Sequence, residues 1–192
     1  MSSTYLPPIE HPRGLGMKLL YFFVRRQFGK NLATFMVFPP RMPLAFTRFY
    51  MKSYTLDKKL IVSPELVALV RELVASTNGC LFCMDASRYN ALRSQVADPA
   101  KFDALAEYRT SPLFSERERA ALDYATELTE RKEVTPETFD RLASFYSERE
   151  ICDVLWLVAS EHLSNLTNIG LNIGSAGLCD MLPARTGVTV AA

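Results

Sequence analysis

The feature that most constrains this chain is a series of strong helix-start signals from Ser63 onward. Ser63-Pro-Glu65 and Thr135-Pro-Glu137 each place a capping hydroxyl before a proline at the first helical position. Proline is tolerated there because an N–H at that position would have no acceptor within the helix. Ser115-Glu-Arg-Glu118 and Ser147-Glu-Arg-Glu150 have the form of capping boxes. No alternation of apolar and polar residues between turn signals predicts a strand. The sequence therefore predicts an all-α fold.

Apolar residues recur at helical spacing after each start. Two helices are predicted at 63–78 and at about 80–95, separated by Asn78-Gly79. The long helix predicted at 147–172 is apolar almost all round, as is typical of a helix central to a core or an oligomer interface. We predict one domain over 1–192, with N-terminal helices in 13–60, a core region in 61–96, C-terminal helices in 113–173 and an ordered or semi-ordered tail in 174–192.

Charge and hydropathy argue against two classes of partner. Lys and Arg number 22 against 21 acidic residues, giving a net charge of +1, and no basic stripe interleaved with aromatics indicates nucleic-acid binding. The apolar run 19–24 is far shorter than the roughly 20 residues of a membrane span. It also starts too far from the first residue to be the apolar part of a secretory signal. We therefore expect a cytoplasmic protein that binds neither nucleic acid nor membrane.

Two cysteines three residues apart, Cys80 and Cys83, are the main candidates for chemistry. In a reducing compartment a structural disulfide is disfavoured, so the pair indicates a redox dithiol or half of a metal site. If Asn78 caps the following helix, Cys80 lies in its first turn, where unpaired N–H groups favour a thiolate. Cys80, Cys83 and Ser87 then share one helix face, which brings a hydroxyl beside the dithiol.

A zinc site would need two further ligands. Cys152, Cys179 and His162 do not form a second close pair, so we predict no metal and no cofactor. A vestigial cysteine pair in a structural or binding protein stays open as an alternative to the redox dithiol.

Two side chains outside the cysteine helix are candidates for proton transfer. Glu72 lies on the stripe of the preceding helix that contains Glu65, Ala68, Glu72 and Ala75, and this stripe brings it to the thiols if the two helices pack through it. His162 falls on a predicted buried face of the long helix and would supply an imidazole from there. The alternative for His162 is a core histidine without a role in catalysis, whose ring hydrogen-bonds to the backbone or to a group on the side of Glu161.

The segment 63–92 resembles a known family. Its Pro-Glu-Leu-Val, its Asn-Gly-Cys-x-x-Cys and the following Asp-Ala resemble the signature region of the carboxymuconolactone decarboxylase-like superfamily, in its alkylhydroperoxidase D-like (AhpD-like) branch. Segments 113–122 and 134–158 resemble the second half of longer members, and Phe28-Gly29 and Arg41-Met-Pro43 resemble their upstream helices. The resemblance covers most of the chain, and the cysteine region is its specific part.

The resemblance implies an AhpD-like helical bundle that assembles as a homo-oligomer. It also implies a Cys80/Cys83 dithiol whose partners are a small-molecule peroxide or a thiol/disulfide reductant. The family relays protons through a glutamate and a histidine, and the matching positions here hold Ala68 and Ser87. The family makes the second cysteine the attacking thiolate, whereas the helix-dipole argument favours Cys80, so the assignment stays open. The alternative function is a catalytically degenerate member that acts as an oligomeric binding or structural protein.

Overall fold

All regular structure in the computed structural model, which describes residues 4–182, is helical. The helices are α1 (Leu15–Phe28), α2 (Ala33–Val37), α3 (Pro43–Ala45), α4 (Met51–Asp57), α5 (Pro64–Thr77), α6 (Leu81–Ser94), α7 (Pro99–Asp103), α8 (Glu116–Arg131), α9 (Pro136–Ala143) and α10 (Glu148–Gly170). A π-helical stretch, Phe46–Tyr50, joins α3 to α4, and short 3-10 turns cover Leu105–Glu107 and Cys179–Met181. The all-α prediction is confirmed, while the division of 1–192 into parts stays a prediction.

The predicted caps start four of these helices. Ser115 and Ser147 both form complete capping boxes, in which the serine side chain accepts from the N–H three residues on and the glutamate there accepts from the serine N–H. Ser63 and Thr135 cap helices that begin at a proline, and each side chain accepts a backbone N–H. Local sequence alone therefore sets where α5, α8, α9 and α10 begin.

Helix α5 is the centre of the main core. It packs against α6, α8 and α10, and its apolar face is fully buried at Leu69, Val70 and Val74. Leu122 from α8 and Leu157 from α10 are equally buried in the same cluster. Helices α5 and α6 are joined by a tight turn, so the two run antiparallel and the start of α6 lies against the end of α5.

The prediction that α10 is apolar almost all round is wrong on its inward side. A stripe of polar residues is buried there, namely Asp153, Ser160, Glu161, Asn165 and Asn168. Three leucines and one isoleucine of the same helix are exposed instead, namely Leu155, Leu163, Leu166 and Ile169. The buried groups are tolerated because other elements supply their partners, as the Ile61 N–H does for the Asp153 carboxylate at 2.6 Å.

Residues 174–182 pack on the outside of α6. Leu178 is buried among residues of α1 and α6, and the Asp85 carboxylate accepts hydrogen bonds from Ser175 and from three backbone N–H groups of this segment. Burial acts to raise the pKa of Asp85, but these hydrogen bonds outweigh it and hold the pKa below its ordinary value. The rest of the predicted tail, 183–192, lies outside the described residues.

No helix between residues 4 and 182 has both the length and the apolar character needed to cross a membrane.

Candidate active site

The cysteine pair is presented by the turn between α5 and α6. Asn78 ends α5, with its N–H donating to the Val74 carbonyl, and Gly79 follows at a φ of 72°, which favours glycine. Cys80 itself is the N-cap of α6, because its Sγ accepts from the Cys83 N–H at 3.3 Å. Asn78 therefore does not cap α6, and the prediction that Asn78-Gly79 ends the preceding helix is confirmed.

Cys80 and Cys83 are joined by a disulfide in this structure, with their Cα atoms 5.3 Å apart. Both are buried, Cys80 being 1% exposed and Cys83 6% exposed. Cys83 lies in the first turn of a helix whose N-terminal N–H groups favour negative charge on a nearby sulfur. The two remaining cysteines, Cys152 and Cys179, are free thiols. The arrangement is thus the oxidised form of a dithiol at a helix N-terminus.

Ser87 lies one turn beyond Cys83 on the same face of α6, as predicted from its spacing. Its hydroxyl donates to the backbone carbonyl of Ala68 across the α5–α6 interface, at 3.4 Å. The two positions that match the family relay, 68 and 87, are therefore neighbours in space. They hold an alanine and a hydroxyl bound to a carbonyl, and neither is a titratable group.

Glu72 is buried beside these residues. On α5 it lies between Ala68, which contacts Ser87, and Ala75, which packs with both cysteines. Its side chain is 6% exposed and, within the described part of the chain, its Oε2 atom has no hydrogen-bond partner. Burial raises the pKa of Glu72 to about 7; the Arg88 guanidinium opposes this shift, and other carboxylates add to it. The side chain can therefore hold or release a proton near neutral pH.

Replacing Glu72 by Gln should make stability less dependent on pH. The fold favours the neutral acid, so stability is full below the ordinary carboxyl pKa and falls as the pH rises towards about 7. We expect Glu72→Gln to raise the free energy of unfolding by ~3 kcal/mol at pH 8 and by less than ~1 kcal/mol at pH 5. Urea titrations of the oxidised protein at both pH values measure this difference.

The matched control for that comparison is Glu133→Gln, since Glu133 is exposed in a loop. The free energy of unfolding of the Glu133→Gln protein should equal that of the parent at both pH values. An equal effect of Glu72→Gln at pH 5 and pH 8 would contradict the assignment of a buried, near-neutral carboxyl.

His162 lies beside the cysteine turn but does not reach the sulfurs through any hydrogen bond found within 4–182. Its Nδ1 atom is 3.2 Å from the Asn78 side-chain nitrogen, and its Nε2 atom is buried without a partner in that range. Burial lowers the pKa of His162, and Lys132 lowers it further, which favours the neutral ring. Because the Asn78 nitrogen can only donate, Nδ1 is the acceptor and Nε2 carries the hydrogen.

Polar side chains of α10 that the sequence did not single out complete the surroundings of the disulfide. Asn168 donates from Nδ2 to Cys83 Sγ at 3.6 Å. Asn165 accepts from Asn78 at 2.9 Å and donates to Glu161 at 2.7 Å, and Glu161 in turn accepts from Arg71 at 2.8 Å. Positions 161, 165 and 168 recur at helical spacing, and this polar stripe within an apolar helix was the signal available in the sequence.

Within residues 4–182, no group of three or more His, Cys, Asp and Glu side chains is arranged to hold a metal ion.

Comparison with known proteins identifies one relative by sequence and several by structure. No protein-family model matches the sequence. The chain is 31% identical over 168 residues to the uncharacterized protein YnjA of Escherichia coli (strain K12). This match covers 84% of this chain and 89% of YnjA. The structure resembles the debrominase Bmp8 with a TM-score of 0.78 and 20% identity, over 93% of this chain and 96% of Bmp8.

A second structural neighbour is an uncharacterized peroxidase-related protein from Ralstonia eutropha JMP134, described as an alkylhydroperoxidase AhpD core. The match has a TM-score of 0.75 and 18% identity, over 91% of this chain and 94% of that protein. The identities are low, so these neighbours establish the fold, and they agree with the resemblance carried by the Cys-x-x-Cys region. The chain belongs to the family of Escherichia coli YnjA and has an AhpD-like fold.

Proposed function

We propose that this protein is a thiol–disulfide oxidoreductase of the alkylhydroperoxidase type, which reduces a hydroperoxide with its Cys80/Cys83 dithiol. The observation that carries the proposal is the Cys80–Cys83 disulfide at the N-terminus of α6 in an AhpD-like fold. The pair is close enough to interconvert between dithiol and disulfide without rearrangement of the helix, because both cysteines belong to one helical turn.

The proposed reaction balances within the site and one hydroperoxide molecule. The Cys83 thiolate attacks the terminal peroxide oxygen, so that an S–O bond forms, the O–O bond breaks and the alkoxide takes up a proton to leave as an alcohol. The Cys80 thiol then attacks the sulfenic sulfur, forming the S–S bond while hydroxide leaves with the thiol proton as water. Two thiols thus give two electrons to the peroxide, and a thiol reductant must restore them.

Glu72 is proposed as the proton carrier in place of the missing family relay. A carboxyl with a pKa of about 7 can donate its proton to an alkoxide, and water can protonate it again at neutral pH. Ser87 and His162 stay predicted members of the site. Ser87 is supported by its place on the cysteine face of α6, and His162 by its contact with Asn78 beside the cysteine turn. His162 is proposed to orient the cysteine turn through Asn78, and Ser87 to pass a proton by its hydroxyl on the cysteine face of α6.

The electron acceptor is tested by comparing substrates. Initial rates of loss of cumene hydroperoxide, hydrogen peroxide and 2,3,4-tribromopyrrole, with dithiothreitol as reductant, compare peroxide reduction with the chemistry of the debrominase neighbour, which has been crystallised with that pyrrole. We expect the hydroperoxides to be consumed, and the protein-dependent rate to vanish in Cys80→Ser/Cys83→Ser. Hydroperoxide loss that is the same in this folded double variant would favour the binding or structural alternative.

A homo-oligomer is the proposed assembly, with a second copy of this chain covering the exposed apolar residues of α1 and α10. Leu166 is 68% exposed, and Phe22 and Phe23 are each 60% exposed. Large apolar side chains exposed to this extent are typical of a surface that contacts a partner. Light scattering should give a mass of at least two chains, and Leu166→Glu should reduce it towards one. A monomeric parent at micromolar concentration would contradict this proposal.

The cytoplasm is the proposed location, because its thiol reductants regenerate the dithiol. Recovery of the protein in an exported fraction on cell fractionation would contradict this.

A further inference from the structure

Asn168 is buried directly against the candidate nucleophile. The residue comes from the last turns of α10, 85 positions away from Cys83 in sequence, and its side chain is 5% exposed. Its Nδ2 atom lies 3.6 Å from Cys83 Sγ. A buried amide with a hydrogen aimed at a sulfur is a specific contact, because an amide in the core needs partners for all its polar atoms.

The orientation of this amide is determined by its other contacts. Nδ2 also donates to the backbone carbonyl of Ser164 at 2.9 Å, and a carbonyl can only accept, so the nitrogen must face that side. The Thr34 hydroxyl of α2 donates to the Asn168 Oδ1 atom at 2.8 Å. One of the two Nδ2 hydrogens is used by Ser164, and the other remains for the sulfur.

We propose that Asn168 is a positioning residue that stabilises the thiolate of Cys83 by donating a hydrogen bond to it, with Thr34 holding the amide in place. The proposal deepens the proposed function, since it rests on Cys83 being a working thiol. A hydrogen bond to the charged form of a group favours that form, and donors to ions are stronger than donors to neutral acceptors. The amide thus does part of what an imidazole at position 87 would do.

Other charged groups act on the same sulfur and are kept constant in the test. The N-terminus of α6 favours the thiolate, whereas Glu72 on the facing helix α5 disfavours it when ionised. On α10, the His162 ring contacts Asn78 and stays neutral because its pKa is lowered. Variants of Asn168 leave all of these in place, so a change in Cys83 reactivity reports the amide.

The test measures each thiol alone. In Cys80→Ser protein, the pH dependence of iodoacetamide labelling, followed by mass spectrometry of the Cys83 peptide, gives the pKa of Cys83. The same measurement in Cys83→Ser protein gives that of Cys80. At pH values below the pKa of Cys83, we expect Asn168→Ala to slow the labelling of Cys83 about tenfold. This is the factor that a hydrogen bond to an ion commonly contributes. Cys80 should be labelled at an unchanged rate.

Two further variants and one control guard against a fold defect. Asn168→Asp is nearly isosteric and replaces the donor by a charge, so it should slow Cys83 labelling by more than Asn168→Ala does. Thr126→Val removes a buried hydroxyl of α8 that bonds Tyr108 and not the cysteine turn, and should leave Cys83 labelling unchanged. Thr34→Val should slow it by an intermediate factor, because the amide is kept but no longer held.

The results separate this proposal from the peroxidase function, since labelling involves no peroxide. Slower labelling of Cys83 alone supports the role of Asn168 even if the parent consumes no hydroperoxide. Unchanged Cys83 labelling in folded Asn168→Ala and Asn168→Asp proteins would overturn it. Equal slowing of Cys80 and Cys83 would also overturn it, because that is the signature of a merely structural residue.

Discussion

Replacing Cys83 by Ser should lower the rate of protein-dependent hydroperoxide consumption by a factor on the order of 100 or more. A serine hydroxyl at the start of α6 stays protonated at neutral pH, so the change removes the attacking group and preserves its size. The rate of cumene hydroperoxide loss under excess dithiothreitol measures the effect. Cys152→Ser is the matched control, because Cys152 is an exposed free thiol that takes no part in the disulfide.

The companion variant Cys80→Ser distinguishes the two thiols. With no second thiol to form the disulfide, the reaction should stop at a sulfenic acid on Cys83, which dimedone captures and mass spectrometry places. Capture of dimedone on Cys80 in the Cys83→Ser protein, at the rate expected for the nucleophile, would reverse the assignment. Unchanged turnover in both variants would exclude the dithiol as the reactive centre.

Replacing Arg71 by Met should produce the largest loss of stability, about 3–5 kcal/mol in the free energy of unfolding. Arg71 joins Glu161 at 2.8 Å and Asp57 at 2.7 Å, and the Glu161 side chain is only 7% exposed. Burial raises the pKa of Glu161, and the Arg71 guanidinium opposes this. Without the arginine, a buried carboxylate must stay unpaired or take up a proton, so the loss should be larger at pH 8 than at pH 5.

Urea denaturation with a surface control tests this expectation. Arg131→Met breaks an exposed ion pair with Glu127 on α8, and its effect should stay below about 1 kcal/mol. The double variant Arg71→Met/Glu161→Gln should recover part of the lost stability, because no unpaired charge remains. A loss from Arg71→Met no larger than that from Arg131→Met would contradict a stabilising role for this pair.

The parts of the fold that the sequence predicts are those determined by neighbouring residues. The starts of α5, α8, α9 and α10 follow from side chains one to three positions away, so they can be read without knowing the tertiary structure. The inward face of α10 could not be predicted in the same way. Asp153 and Glu161 are buried because their partners, the Ile61 N–H and the Arg71 guanidinium, come from other parts of the chain.

The candidate site divides along the same line. Cys80, Cys83 and Ser87 lie within two turns of one helix, and their shared face follows from spacing alone. Glu72 was predictable from its stripe on the preceding helix, although its burial depends on the packing of α5 against α6. Asn168 was missed, since a contact across 85 positions leaves no local signal beyond a polar residue in an apolar helix. Whether Asn78 or Cys80 caps α6 could not be told from the sequence, because the Asn78 side chain is used by α10.

The most direct test of the central claim is a single turnover. Reduced protein is mixed with one equivalent of cumene hydroperoxide, quenched by alkylation, and the peptide containing Cys80 and Cys83 is weighed. If the dithiol reduces the peroxide, the peptide is lighter by two hydrogens, carries no alkyl groups and forms faster than in an unfolded control peptide of the same sequence. Full alkylation of both cysteines, persisting as long as in that control, would contradict the claim that this dithiol reduces peroxides.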